Sequence, residues 1–92
     1  MRCFEWNPAK AAENRRKHGV RFEDAITAFD DPFALIRFDD AHSDAEVREI
    51  LLGHSARGLL VVVFTVRTAG ITRIIGARKP TRRERNQYEE GV

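Results

Sequence analysis

The residues best suited to chemistry gather in the C-terminal half of the chain: Arg67, Arg73, Arg78, Lys79, Arg82, Arg83 and Arg85, with His54 and Tyr88 as titratable companions. Between Arg57 and Arg85 eight Lys/Arg stand against one Glu. A guanidinium is planar, stays charged at any working pH and grips phosphate oxygens through two parallel N–H bonds. A group of them can bind a nucleic-acid backbone, or stabilise the extra negative charge of a pentacovalent phosphorane without a metal. In RNA the adjacent 2′-OH is an internal nucleophile, so positioning and charge stabilisation can suffice for cleavage. The same residues equally make a basic binding surface with no chemistry. His54 also fits a structural histidine, His18 a cation at a helix C-terminus, and Tyr88 plain packing of the last helix.

Other chemistries find no matching pattern. Asp39, Asp40, His42 and Asp44 are close in sequence, but their spacing fits no zinc, calcium-loop or H-E-x-x-H site, so an acidic surface loop is expected. Cys3 has no evident base, G-x-S-x-G is absent, and no Gly-rich loop is present to cradle phosphate. Neither metal nor cofactor is expected.

The elements that must carry the basic group follow from pattern. Leu59 to Val66 is a short apolar run, rich in Val, which reads as a buried central strand and is too short to span a membrane. It turns at Thr68-Ala69-Gly70 and returns as Ile71 to Lys79. Arg2 to Trp6 reads as a strand. Asn7-Pro8 opens a helix running to about His18, with Gly19 as its stop. Phe22, Ala25, Ile26 and Phe29 form one face of a second helix, ended by Asp30-Asp31-Pro32. Phe33 to Phe38 and Glu46 to His54 read as strands, Ser55 to Gly58 as a turn. Thr81-x-x-Glu84 is a capping-box pattern opening a last helix to about Glu90. The order β-α-α-β-β-β-β-α predicts a single α+β domain over 1–92, with a mainly antiparallel sheet and the first two helices on one face.

Turn lengths set the expected register: His54 faces Leu59, Ile50 faces Val63, Arg67 faces Ile71 and Thr65 faces Arg73. Side chains alternate across a strand, so two faces separate. Val47, Glu49, Leu51, Leu60, Val62, Phe64, Val66 and Ile74 should meet the helices. Arg48, Ile50, Leu52, His54, Val61, Thr65, Arg67, Arg73, Ile75 and Lys79 should share the other face. Strict alternation would place Arg78 among the oily set, where a permanent charge is unwelcome. A bulge near Gly76, or a position past the covering helices, returns it to the cationic surface.

Composition agrees with a globular chain of 92 residues, 33% charged and 42% hydrophobic. Net charge is only +2, yet residues 1–46 sum to −3 and residues 47–92 to +5, which points one basic face at an anionic partner. The single cysteine cannot form an internal disulfide, and no charged-then-apolar leader opens the chain. A cytoplasmic location is expected.

Phe4 to Lys10 (FEWNPAK), Asn14 to Phe22 (N-x-x-K-H-G-V-x-F), Glu23 to Pro32 (EDA-x-x-x-FDDP) and Arg73 to Arg85 (RIIGARK-x-TRRER) together resemble the BrnT family, toxins of type II toxin–antitoxin systems with a RelE/ParE-like fold. Asn7 stands where the family usually has Asp, and still caps. Arg21 stands where a small polar residue is common, which weakens the second helix's N-cap. The resemblance implies a metal-independent endoribonuclease that arrests translation. It also implies a BrnA-like ribbon-helix-helix antitoxin as partner, with operator DNA reached only through that antitoxin. Arg67 and Arg78 then stand where the family's catalytic arginines fall. Arg73, Lys79, Arg82 and Arg83 are assigned to the RNA backbone, free or ribosome-bound, and His54 and Tyr88 are accessories. A ParE-like gyrase poison and a non-catalytic nucleic-acid-binding module remain as alternatives, since fold does not fix function.

Overall fold

The computed structural model describes residues 2–42 and 46–91, with His42 described in its backbone only. Asp44, part of the expected acidic loop, lies outside the described residues. The elements are β1 (Cys3–Glu5), α1 (Pro8–His18), α2 (Phe22–Ala25), a 3₁₀ continuation (Ile26–Asp30), β2 (Leu35–Phe38), β3 (Glu49–Ser55), β4 (Gly58–Val66), β5 (Ile71–Arg78) and α3 (Arg82–Glu90). Short 3₁₀ turns occupy Asp40–His42 and Thr68–Gly70. One five-stranded sheet runs β1-β5-β4-β3-β2, antiparallel except where β1 lies parallel to β5. No helix is long and apolar enough to cross a membrane among the described residues.

Local chemistry explains the helix ends. The Asn7 carboxamide oxygen accepts the N–H groups of Ala9 and Lys10 at 2.8 and 3.3 Å, and Pro8 fills the first turn without a donor to lose. Gly19 closes α1 in the left-handed region at φ 69°. At the second helix Arg21 makes no side-chain cap. The expected single helix to Asp30 instead changes from α to 3₁₀ after Ala25. The Thr27 hydroxyl takes the Asp24 carbonyl at 2.6 Å, an acceptor that a continuing α-helix would give to Ala28. Gly53 lets this tightened turn lie on β3: a Cβ there would sit 3.0 Å from the Ala28 carbonyl oxygen.

Strand parity gives the layers. Phe22, Ala25, Ala28, Leu51, Leu60, Val62, Phe64, Ile74 and Ala77 form the main core between helices and sheet. Phe29 bridges Phe4 and Phe64 edge-on, at 5.0 Å to each. On the opposite face Leu52, Leu59 and Val61 make a smaller cluster with Leu35, Ile50 and Tyr88, so α3 covers one end of the expected open surface. The β3–β4 and β4–β5 pairings are those set by the turns: His54↔Leu59, Ile50↔Val63 and Thr65↔Arg73, with the Arg67 N–H on the Ile71 carbonyl at 2.7 Å. Two strands start later than expected. The Asp31 side chain takes the Phe33 N–H and its carbonyl takes the Ala34 N–H, which holds a turn until Leu35. The third strand begins at Glu49, not Glu46.

The register breaks once. Val63 pairs with Gly76 and Phe64 with Ile74, leaving Ile75 as the extra residue of a bulge. Ala77 therefore enters the core opposite Val62, and Arg78 sits opposite Val61 on the far face. Lys79 is displaced by the same step. It borders a depression with Arg15, Arg21 and Arg57 on the helix side, so it leaves the basic face on which strict alternation placed it. β1 ends its pairing at Arg73, so the outer edge of β5 beyond it lacks a strand. Asn14 of α1 supplies the substitute. Its amide donates to the Ala77 and Val20 carbonyls at 2.8 and 3.0 Å, and its oxygen accepts the Ala77 N–H at 3.1 Å.

Asn14→Ala removes all three bonds and strands partly buried backbone groups, so a loss of about 2–3 kcal/mol is expected. The measurement is the urea midpoint; Asn14→Asp should also destabilise, because a carboxylate cannot donate to either carbonyl.

Candidate functional site

Three cross-strand rows on the face opposite α1 and α2 build the site. The central row is Arg37↔Ile50↔Val63↔Gly76, read across β2, β3, β4 and β5. A neighbouring row is Leu35↔Leu52↔Val61↔Arg78, which runs under α3. On the other side Asp39 bonds Arg48 and Thr65 pairs with Arg73. The result is a shallow cleft of about 420 Å³ with an aliphatic floor of Ile50, Val63 and Ile75, edged by Arg37, Arg48, Arg78 and Asp39. Gly76 leaves the floor open where a side chain would otherwise rise.

Arg78 is held by the start of α3. Its two terminal nitrogens donate to the two Glu84 carboxylate oxygens, each at 2.8 Å, and one also reaches the Lys79 carbonyl at 3.3 Å. Glu84 completes a capping box: it accepts the Thr81 N–H at 2.8 Å while the Thr81 hydroxyl accepts the Glu84 N–H at 3.1 Å. The Arg78 hydrogen bonds pull the Glu84 carboxyl down to about 2, and the same bonds raise Arg78. Five N–H donors on a guanidinium leave Arg78 two to spare, so the clamp orients the fork without consuming it.

The other basic residues fall into separate groups. Glu5 binds Arg73 at 2.7 Å and approaches Arg67 at 3.6 Å, at the β1 end of the sheet. Arg67, the residue just past β4, is six positions from Val61, the residue opposite Arg78, or about 20 Å at strand rise. The structure thus joins Arg67 to Arg73 and Arg78 to Arg37 and Arg48, and does not bring Arg67 to Arg78. Arg82 and Arg83 are exposed on the first turn of α3.

His54 and Tyr88 do come together, with ring centres 5.2 Å apart, but over Asp31 at the far end of β3. Asp31 accepts the His54 backbone N–H at 2.7 Å and the Tyr88 hydroxyl at 2.5 Å. Burial opposes ionisation of Asp31, and these bonds outweigh it, so its carboxyl is lowered. The Tyr88 phenol, donating to that carboxylate, is pushed up to about 12. Its proton is committed to holding α3. Glu5, Asp31 and Arg37 were not read from sequence as site residues; each acts through partners tens of residues away, which no local pattern announces. For Arg37 a signal existed, since strand parity puts it on the face of Arg48. Among the described residues no group of three His, Cys, Asp or Glu is arranged to hold a metal ion.

Residues 6–84 match the family model described as "Ribonuclease toxin, BrnT, of type II toxin-antitoxin system". The chain belongs to the BrnT family. It is thus a ribonuclease toxin of a type II toxin–antitoxin system, with an RNA substrate and an antitoxin partner. Its fold is similar to that of the Brucella abortus ribonuclease toxin BrnT, solved at 1.1 Å resolution. The TM-score is 0.67 at 19% identity over 89% of this chain and all of that one. No curated protein matches the sequence.

The clamp has a pH signature. A carboxyl depressed from 4.5 to about 2 stabilises the fold above its unfolded value, and the contribution is lost as pH falls from about 4.5 toward 2. Because Arg78 is 38% exposed, solvent screening reduces the contribution to about 1 kcal/mol. Glu84→Gln retains a capping-box residue and should flatten this part of the acid-unfolding curve, as read by circular dichroism.

Proposed function

We propose that RNA is cut over the Arg37–Ile50–Val63–Gly76 row, with Arg78 as the principal charge-stabilising group. The observation that carries this reading is the Arg78–Glu84 clamp: a bidentate-held guanidinium with spare donors facing an open, cation-edged cleft. The scissile phosphate would sit against Arg78, Arg37 and Arg48, and the aliphatic floor would take a base or ribose. The 2′-OH gives its proton to water as its oxygen bonds the adjacent phosphorus, the P–O5′ bond breaks with the 5′-oxygen taking a proton from water, and the guanidinium groups stabilise the phosphorane between those events. Arg73, about 13 Å along the sheet, and Arg67, about 20 Å along it, would bind the backbone a few nucleotides away. Arg82 and Arg83 would do so from α3. His54 and Tyr88 serve chiefly to seat α3, and Lys79 lies outside this path.

Charge stabilisation by guanidinium needs no divalent ion, so cleavage should persist in chelator. The partner that fits is a BrnA-like ribbon-helix-helix antitoxin, whose dimer would carry two toxins to operator DNA; the setting is cytoplasmic. Inhibition then follows from covering the basic face with complementary charge.

Arg78→Ala is expected to lower single-turnover cleavage of a short RNA by about 10²–10³, with Arg78→Lys recovering little, because an ammonium cannot reproduce the fork. Arg67→Ala and Arg73→Ala should instead weaken binding and reduce the slope of affinity against salt by about one phosphate contact each. Near-normal cleavage by a folded Arg78→Ala protein would move the reaction centre elsewhere.

A further inference from the structure

β2 is one of the sheet's two edge strands, it carries exposed apolar side chains, and no further strand covers it among the described residues. Ile36 is 53% and Phe38 62% exposed, although both pair with β3 residues on the helix-covered side. Phe33, just ahead of the strand, is 59% exposed. Four residues with no Pro or Lys make an unusually sticky border, of the sort proteins normally blunt.

The hydrogen-bond direction along β2 is fixed. Asp39 donates its N–H to the Arg48 carbonyl at 2.8 Å. In an antiparallel ladder the inward groups recur at every second residue, so those of Arg37 and Leu35 also face β3. The N–H and C=O groups of Ile36 and Phe38 therefore point outward, where the sheet has no further strand among the described residues. An extended chain can add there and satisfy them.

Side-chain parity defines what that chain must be. On the helix side it meets Ile36 and Phe38, which favour apolar partners. On the cleft side it meets Arg37, with Arg48 and Arg78 beyond, which favour a carboxylate. Next to Arg37 a cavity of about 250 Å³ opens between the sheet and α3, floored by Leu35, Ile50, Leu52 and Val61 and walled by Glu84 and Gln87. It can take one further apolar side chain. A second copy of this chain fits less well. Twofold pairing of Ile36 with Phe38 would set Arg37 directly opposite Arg37, a like-charge pair at the closest spacing in the ladder.

We infer that the antitoxin neutralises this protein partly by strand addition: an extended segment alternating apolar and acidic residues pairs with β2 at Ile36 and Phe38 and places a carboxylate against Arg37. The inference rests on the cleft reading above, since occupation of β2 would then also close one side of the RNA path.

The test uses the purified complex with the cognate antitoxin. Backbone hydrogen exchange at Ile36 and Phe38 is expected to slow on complex formation. Ile36→Pro removes an outward N–H and trims the exposed side chain, leaves the β2–β3 bonds intact, and should raise the Kd by about 5–10-fold or more, the loss of one interchain bond plus some apolar contact. Cleavage of RNA by the free variant should be unchanged, and Arg37→Glu should weaken the complex further. A complex that forms with both amides exchanging as in the free protein, and with Ile36→Pro binding normally, overturns strand addition while leaving the cleft reading intact. Protection of the same amides in the free protein as its concentration rises would assign the edge to a second copy and overturn the antitoxin assignment. Failure to form any complex overturns it as well.

Discussion

The Asn14 carboxamide fixes the geometry on which the rest of the molecule depends. It occupies the outer edge of β5 where β1 no longer reaches, and pairs with both backbone groups of Ala77. With Ala77 tied to α1 and its methyl drawn into the core, the strand has to absorb one residue between there and Ile74, and Ile75 is that residue. Everything beyond it changes side. Arg78 arrives on the open face, Lys79 on the helix face, and α3 starts in the right place for Glu84 to meet Arg78. A polar side chain acting as a strand is thus what connects the N-terminal helix to the orientation of an arginine on the other side of the sheet.

Two carboxylates then divide the basic residues into working groups. Glu84 holds Arg78 in a fixed plane, and Glu5 holds Arg73 and draws in Arg67. Each carboxylate cancels charge and also removes rotamer freedom, so the net cost to phosphate binding is smaller than the charge count implies. The arrangement gives an extended track with two anchored stations instead of one convergent pocket. That suits a polymer whose negative charges are themselves spaced along a line.

Much of this was legible in the sequence, for a definite reason. Period-two alternation in residues 47–79, combined with two short turns, leaves a single register that buries Leu60, Val62 and Phe64 together, and the structure has it. The caps at Asn7, Gly19 and Thr81 are local bonds, so they are visible locally. That Arg78 conflicted with strict parity was visible too, because its charge is permanent; a bulge and a position past the helices both answered it, and the structure has the bulge. What escaped were bonds between side chains far apart in sequence: Glu5 to Arg73, Asp31 to Tyr88, and Asn14 to Ala77. Their composition is ordinary and their meaning is purely spatial. The shortening of the second helix also escaped, because the apolar stripe of Phe22, Ala25, Ile26 and Phe29 is satisfied nearly as well by an α turn running into a 3₁₀ turn.

The placement of the single tryptophan has an optical consequence. Trp6 stands edge-on to Phe22 at 5.9 Å, packed against the main core on the helix side of the sheet, while the cleft lies on the other side. Its emission should follow the integrity of that core and stay nearly silent when a ligand enters the cleft. The protein thus carries an intrinsic fluorophore that separates loss of fold from loss of binding in one cuvette, without a label.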